Sequence, residues 1–141
     1  MITIKENVKS VEDFNKIFDK VGWGAHEDEV SKKALENTYY SVSIYDDGEI
    51  IGFGRLIGDT ICYMYIHDVV VAPEYQGKKI GTMIMNKLLE KVEELRKENP
   101  YIRVYLGAAK GKEGFYKHFN FIEREEANLG PGMIYNKIEE D

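Results

Sequence analysis

The sequence predicts an α/β fold with a mixed sheet, in which antiparallel N-terminal strands lead to a parallel strand–helix–strand crossover. A valine-rich strand ends near Val71, and a long helix with apolar residues spaced three and four apart follows it. Residues 102–106 predict another strand, so these three elements should form a right-handed parallel crossover. Upstream, an Asp-Asp-Gly segment at 46–48 separates two apolar strands, a pattern typical of a β-hairpin.

Length and composition limit the class of protein. The 141 residues fit one domain, residues 1–141, that can bury a substantial core. A net charge of −6 with 43% hydrophobic residues indicates a soluble globular protein and argues against nucleic acid as a partner. No apolar run reaches membrane-spanning length, so no membrane partner is expected. The single Cys62 cannot form an internal disulfide and the N-terminus lacks a signal-peptide core, so we expect a reducing cytoplasm. Both a monomer and a homodimer are compatible with the sequence.

The first elements along the chain are a strand and two helices. Residues 1–7 alternate apolar and polar side chains, which predicts an edge strand. Ser10 can cap the helix that follows, and a Gly-Trp-Gly segment at 22–24 ends it. The apolar side chains of this helix recur at helical spacing at Val11, Phe14, Ile17, Phe18 and Val21. Residues 27–37 predict a second, weaker helix.

Two strands and a pair of interior glycines come next. Residues 39–45 and 49–57 predict the arms of the hairpin. Gly52 and Gly54 lie inside the second arm, where glycine weakens a strand and marks either a bulge or the close approach of a ligand. We favour the bulge. The central strand then begins near Ile61.

The central strand and the long helix form the middle of the chain. Val69, Val70 and Val71 are consecutive β-branched residues, which predicts a strand that is buried on both faces. Pro73 ends the strand because it lacks a backbone donor and biases the preceding residue away from helical angles. The helix ends before Pro100. Its apolar stripe consists of Ile80, Met83, Ile84, Leu88, Val92 and Leu95.

The start of this helix has an unusual charge. Gly77, Lys78, Lys79 and Gly81 stand where the helix dipole and free N–H groups favour carboxylates. Lysines are favourable there if an anion lies between them, bound by backbone N–H groups that the glycines let it approach. A phosphate is the natural candidate. The alternative is a plain turn glycine with a solvated rim of lysines. The spacing matches neither a Walker loop nor a dinucleotide fingerprint.

This stretch resembles the acyl-CoA-binding signature of the GCN5-related N-acetyltransferase (GNAT) family, which is Gln/Arg-x-x-Gly-x-Gly/Ala after a valine-rich strand. The matching residues here are Gln76, Gly77, Lys78, Lys79, Ile80, Gly81 and Thr82. Lys79 stands where the family usually has its first glycine, and its amide stays available if the turn keeps ordinary helical angles. The resemblance implies that this loop holds the pyrophosphate of acetyl-CoA. It also implies that the backbone of Val69, Val70 and Val71 pairs with the pantetheine arm.

A second resemblance lies near the C-terminus. Residues 111–119 predict a short helix, and residues 115–121 resemble the family's recurrent Phe/Leu-Tyr-x-x-x-Gly-Phe segment. Asn120 replaces the usual glycine, a mild change because asparagine tolerates left-handed angles at a helix end. Residues 133–138 predict a final strand that closes the sheet. The resemblance therefore covers nearly the whole chain and implies a GNAT-type N-acyltransferase fold.

Acetyl transfer to an amine needs a neutral amine, a donor for the oxyanion and a proton for the leaving thiolate. By resemblance, Tyr116 lies beside the CoA sulfur and supplies that proton; the alternative role is an aromatic that packs the last helix on the sheet, and the motif match favours the first. By the same resemblance, the backbone N–H of Val69 or its neighbour stabilises the oxyanion.

The base is the least determined role. Histidine is the common general base at neutral pH, and strand alternation places His67 on the face of Val69 and Tyr65, where it could reach the amine. A structural histidine is an equal alternative, and Asp68 or Glu74 could act instead, through a water relay if needed.

Covalent transfer through Cys62 is disfavoured. Cys62 precedes Val69 by seven residues, roughly 23 Å along an extended strand, and buried cysteines are usually inert. We therefore expect direct attack through a ternary complex.

These inferences predict an acetyl-CoA-dependent N-acetyltransferase that acts on a primary amine of a small molecule. The alternative is a catalytically silent CoA-binding regulatory or interaction module. Pocket-lining residues would come from the loop around Trp23, from Arg55 and from the turn at 128–133. The acidic surface suggests a cationic acceptor.

Overall fold

The computed structural model describes residues 1–137, which form two compact units, one from Met1 to Leu106 and one that starts at Gly107. In the first unit the elements are β1 (Ile2–Glu6), α1 (Val11–Lys20), α2 (Asp28–Glu36), β2 (Tyr40–Asp46), β3 (Glu49–Gly58), β4 (Tyr63–Val71), α3 (Ile80–Glu98) and β5 (Arg103–Leu106). The second unit contains α4 (Glu113–Lys117) and a 3₁₀ turn at Arg124–Ala127. None of the helices within residues 1–137 is long and apolar enough to cross a bilayer.

The sheet confirms the predicted fold class. Its strand order is β1-β2-β3-β4-β5, with β1 at one edge as expected. The first four strands pair antiparallel, and β5 pairs parallel with β4. Asp47 and Gly48 both have positive φ, as a two-residue type I′ hairpin turn requires. The chain therefore enters its parallel crossover, β4–α3–β5, after an antiparallel meander.

Helices cover the two faces of this sheet. Phe14 of α1 packs edge-on against Phe53 of β3, with ring centroids 5.2 Å apart. The neighbouring positions Gly52 and Gly54 point to the other face, where α3 lies. Each of these two helices buries one apolar stripe, but the predicted stripe of α3 is only partly right: Met83 and Leu95 stay partly exposed, whereas Met85, which was not predicted, is buried. The stripe of α1 is Phe14, Ile17 and Phe18, and that of α3 is Ile80, Ile84, Met85, Leu88 and Val92.

The two interior glycines of β3 let α3 approach the sheet closely. A Cβ on Gly52 would lie 2.9 Å from Ile80 Cγ2, and one on Gly54 would lie 2.5 Å from Ile84 Cγ2. Both distances are too short for a side chain, so helix packing explains the glycines. A bulge at Ile51 lies beside them, since the pairing with β2 skips that residue.

The prediction that the valine run is buried on both faces is wrong. Val70 is buried, but Val69 and Val71 keep partial exposure. Val71 pairs with Gly52, which lies beside the first residue of α3, so the helix stops covering the strand there. The end of β4 is therefore accessible next to the start of α3.

The C-terminal predictions hold only in part. The short helix is confined to Glu113–Lys117, and Asn120 follows it with φ 68°, so its predicted left-handed conformation is confirmed. The predicted strand at 133–138 is wrong for residues 133–137, which form no strand, while Ile138 lies outside the described residues. Alternating apolar residues make a strand only with a hydrogen-bonded partner, and no such ladder forms in this part of residues 1–137.

Candidate active site

The connection between β4 and α3 is a fixed loop. Ala72 is buried, a 3₁₀ turn follows at Pro73–Tyr75, and Gln76 Nε2 donates to the Val71 carbonyl over 3.3 Å. The Tyr75 hydroxyl donates to the Asp46 carboxylate at the β2–β3 turn. These contacts join the loop to the hairpin, so the start of α3 has a defined position beside the end of β4.

Lys79 adopts left-handed angles, with φ 66° and ψ 18°. The condition set for the availability of its amide, ordinary helical angles in this turn, is therefore not met. A residue with a Cβ strains there by roughly 1–2 kcal/mol, a cost that glycine avoids. The family signature has glycine at this position, and the observed backbone gives the physical reason. Gly77, two residues earlier, is also left-handed at φ 77°.

The N-terminus of α3 is open to a ligand. Its first intrahelical hydrogen bond runs from Met83 N–H to the Lys79 carbonyl, so the N–H groups of Ile80, Gly81 and Thr82 have no partner in the helix. Within residues 1–137 this end has neither a side-chain cap nor an acidic residue in the first turn. Exposed lysines precede it, with Lys78 Nζ 5.4 Å from the Tyr75 ring centroid. Free N–H groups, the helix dipole and lysines together favour an anion such as phosphate.

A bulge distorts β4 next to this loop. Phe53 pairs with Val70 and Arg55 pairs with His67, so Asp68 and Val69 together oppose one residue of β3. Asp68 has φ 55°, which an aspartate tolerates better than most residues. The bulge leaves the strand's regular ladder interrupted at the position where the resemblance places the thioester.

The bulge also corrects one sequence-based placement. His67 lies opposite Arg55, and its ring is 5.6 Å from that of Tyr65, so these two share a face as expected. Val69 turns to the face of α3, with Cγ2 3.5 Å from the position that a Cβ on Gly54 would occupy. The expectation that Val69 shares the face of His67 is therefore wrong, because the extra residue breaks the alternation.

His67, Asp68 and Arg55 form a connected cluster. His67 Nδ1 is 2.8 Å from Asp68 Oδ1, and Arg55 Nε donates to Asp68 Oδ2 over 2.6 Å. The Asp68 side chain is 7% exposed, whereas that of His67 is 50% exposed. Burial acts to raise the pKa of Asp68, but hydrogen bonds from His67 and Arg55 outweigh it and hold that pKa below its usual value. An ionised buried carboxylate therefore supports a solvent-facing imidazole.

The other predicted site residues belong to other elements of the chain. Tyr116 is in α4 of the second unit, packed edge-on against Phe115, and burial raises the pKa of its phenol. A phenol is protonated at neutral pH even without this shift. Cys62 is exposed, so the expectation of a buried thiol is wrong; it lies in the turn before β4. Trp23 is 55% exposed and packs edge-on against Phe18.

Sequence reasoning treated Asp68 as an alternative base and missed its buried position beside His67. The available signal was an aspartate between a histidine and three valines, since such a charge inside an apolar strand needs a partner. Arg55, expected to line a pocket, is that partner.

Comparisons with known proteins agree on the family. The family model described as "Acetyltransferase (GNAT) family" matches residues 8–121. An uncharacterised N-acetyltransferase of Gracilaria tenuistipitata var. liui is 32% identical over 117 residues, which are 80% of this chain and 62% of that protein. Serotonin N-acetyltransferase 2, chloroplastic, of Oryza sativa subsp. japonica is 30% identical over 121 residues, 82% of this chain and 58% of that protein. The chain thus spans about six tenths of the length of these curated relatives.

Solved structures show the same fold. A protein of unknown function from meticillin-resistant Staphylococcus aureus, described as a probable acetyltransferase, superposes with TM-score 0.82 at 26% identity, covering 96% of this chain and 100% of that one. A GNAT family acetyltransferase from Streptococcus pneumoniae gives 0.79 at 27% identity, covering 98% and 100%. Because the family model also spans most of the chain, from before α1 through α4, the protein belongs to the GNAT acetyltransferase family.

Proposed function

We propose that the protein transfers an acetyl group from acetyl-CoA to a primary amine of a small molecule, by direct attack in a ternary complex. The observation that carries this proposal is the uncapped start of α3, with free N–H groups and adjacent lysines, beside the accessible end of β4. An anion site next to an interrupted strand suits a ligand with a pyrophosphate and a peptide-like arm.

The proposed cofactor contacts follow from that arrangement. The pyrophosphate of acetyl-CoA binds the loop and first turn made of Gln76, Gly77, Lys78, Lys79, Ile80, Gly81 and Thr82. The pantetheine arm pairs with the backbone of Val69, Val70 and Val71 in the manner of an added strand. The partial exposure of Val69 and Val71 supports this assignment.

The proposed chemistry has three steps at one carbonyl. His67 accepts a proton from the amine, whose nitrogen attacks the thioester carbon. The backbone N–H of Val69 or its neighbour donates to the oxyanion. The carbon–sulfur bond then breaks, and Tyr116 gives its proton to the departing thiolate. The Tyr116 phenol carries its proton at neutral pH, as an ordinary tyrosine does, and burial raises its pKa further.

We propose a small cationic amine as acceptor and the cytoplasm as the compartment. The net charge of −6 favours a cation over an acidic acceptor. A relative named serotonin N-acetyltransferase supports an amine acceptor, although the chain spans only 58% of that protein. The second candidate function is a CoA-binding module without turnover, which the same anion site would serve.

The test measures free thiol released from acetyl-CoA across a panel of amines, with binding of CoA measured by calorimetry. We expect turnover with at least one amine. In a Tyr116→Phe variant turnover should fall on the order of a hundredfold while CoA affinity stays nearly unchanged, because the ring remains and only the proton is lost. Tyr101→Phe is the matched control, since Tyr101 is fully exposed before β5.

Two outcomes would contradict the proposal. Equal turnover by the Tyr116→Phe variant and the unmodified protein would reject Tyr116 as the acid. CoA binding without thiol release for any amine would favour the silent module.

A further inference from the structure

His67 has a buried partner that contact with an amine alone would not require: the Asp68 carboxylate, which is itself bound by Arg55. Its Nδ1 lies 2.8 Å from Asp68 Oδ1, and the second carboxylate oxygen accepts from Arg55 Nε over 2.6 Å. The carboxylate is nearly inaccessible to solvent, whereas half of the imidazole side chain is exposed. The ring therefore has one nitrogen turned to a buried anion and a largely open outer face.

Counting donors and acceptors fixes the proton on this ring. An ionised carboxylate accepts hydrogen bonds and donates none, and Arg55 already donates to one of its oxygens. His67 Nδ1 must therefore carry the hydrogen in the contact with Asp68. In the neutral imidazole the lone pair is then on Nε2, which is the nitrogen that can accept a proton from an amine.

Asp68 is held by its own strand and by Arg55 of the neighbouring strand β3. The β4 bulge at Asp68 brings two successive side chains, His67 and Asp68, into mutual contact, which regular alternation would prevent. Arg55 is anchored in turn by Thr38 Oγ1 at 3.1 Å and by the Ala34 carbonyl at 3.3 Å. The carboxylate is thus positioned by β3 and by the end of α2, as well as by its own strand.

The geometry points to Asp68 as a positioning residue for acetyl transfer: held by Arg55, it fixes His67 in the Nδ1–H form and orients Nε2 towards the acceptor amine. This inference rests on the proposed function, because it assumes that His67 is the base. The titratable and charged groups that contact the imidazole within residues 1–137 are Asp68 and Tyr65 on its own strand. On β3, Arg55 is the register partner of His67 and donates a hydrogen bond to Asp68.

The first experiment reads the tautomer directly. Long-range ¹H–¹⁵N correlation spectra of the unmodified protein near pH 8, with the His67 signals assigned by loss in a His67→Gln variant, distinguish the two forms. We expect His67 in the Nδ1–H form. In an Asp68→Asn variant we expect a mixture of tautomers, because an amide can both donate and accept. Asparagine tolerates left-handed angles as well as aspartate does, so the bulge should persist.

The second experiment measures kcat/KM against pH for the best amine found. Asp68→Asn should lower the plateau about tenfold or more, within the ~100- to 10,000-fold that a general base contributes. The acidic limb should move to lower pH, because the imidazolium loses its negative neighbour. In a His67→Gln background the same change should have almost no further effect. Asp13→Asn is the matched control, since Asp13 binds the Tyr45 hydroxyl.

Several results would overturn the inference. An Nε2–H form of His67 in the unmodified protein would do so even if the Asp68→Asn variant fails to fold. An unchanged acidic limb in that variant, or equal losses in the presence and absence of His67, would also reject it. Absence of turnover with every amine is a different result, since it rejects the proposed function and leaves the measured tautomer as a separate fact.

Discussion

The N-termini of α1 and α3 show opposite designs within one compact unit. At α1, Ser10 Oγ accepts from Asp13 N–H over 3.1 Å, and Glu12 and Asp13 place negative charge in the first turn. At α3, Lys79 occupies the cap position in a left-handed conformation, and the described residues supply no side-chain cap and no acidic first turn. Helix α1 caps its N-terminus with its own residues, whereas α3 leaves its first N–H groups open to a ligand.

The contrast separates stability from function. Capping and first-turn acids are worth roughly 0.3–2 kcal/mol each, so leaving them out at α3 weakens the fold. α2 is intermediate, because its cap makes no side-chain bond but Asp28 and Glu29 occupy its first turn. Among the three α-helices of the first unit, α3 alone has neither a side-chain cap nor an acidic residue in its first turn. A bound anion would replace both, and this is why we propose this helix end as the site for the CoA pyrophosphate.

The largest expected effect comes from giving α3 the acid it lacks. Gly81→Asp should lower CoA affinity at least about tenfold, because a carboxylate would stand in the path of the pyrophosphate. The variant should stay folded, since an acid in the first turn is favourable to the helix itself. Calorimetry with CoA measures the loss, and Gly81→Asn is the neutral control. Unchanged affinity in a folded Gly81→Asp protein would remove the anion site from this loop.

Removing the cap of α1 should affect stability alone. Ser10→Ala should lower the free energy of unfolding by about 1 kcal/mol, because Asp13 N–H loses its acceptor. Ser10→Gly should lower the free energy of unfolding by only a few tenths of a kcal/mol. Comparing the two variants separates the loss of the cap from the effect of shortening the side chain. Chemical denaturation measures the difference. A matching drop in CoA affinity would show that the two helix ends are not independent.

Lys79 tests the cap position of α3. Lys79→Gly and Lys79→Ala remove the same charge, but only glycine relieves the left-handed strain. We expect the glycine variant to be the more stable of the two by roughly 0.5–1 kcal/mol. Thermal unfolding of both, without ligand, measures this. Similar stabilities would mean that the backbone at 79 relaxes when the side chain is shortened.

The smallest effect is expected from making α1 resemble α3. Glu12→Lys should destabilise the protein by about 0.5 kcal/mol at low ionic strength, because a cation then faces the positive end of the helix dipole. Glu12→Gln is expected to lose about half as much. Unfolding measured at low and high salt tests whether the loss is electrostatic. Screening by salt should abolish the stability difference between each variant and the unmodified protein. A loss that persists in high salt would indicate a packing effect.

Most elements of the fold could be predicted from the sequence, because their signals are local. Ser10 caps α1 as expected, and the turn at Asp47 and Gly48 has the angles that its residues favour. The spacing of apolar residues in α3 gave four of its five buried residues, and it missed Met85. The strand predicted at 133–138 does not form over residues 133–137, because pairing depends on a distant partner, which a local pattern cannot specify.

The site was harder to predict, since its geometry depends on tertiary packing. The signature residues at 76–82 are local, and they do form an open helix start. The bulge at Asp68 is set by register with β3, so alternation placed Val69 on the wrong face. The role of Arg55 depends on a pairing across two strands and a contact with Thr38. Such links join residues far apart in sequence and have no local pattern.

The glycines under α3 have a consequence for ligand selectivity. Because Gly52 meets Ile80, the first residue of the helix, its missing side chain sets how far the anion-binding end stands above the sheet. In the proposed complex, that height and the end of β4 would together define a fixed span between the phosphate and the reactive carbonyl. An acyl donor whose arm is longer or shorter than pantetheine would place its carbonyl away from the catalytic residues. The thickness of the layer between helix and sheet would thus act as a length filter, set by atoms that touch neither the donor nor the amine.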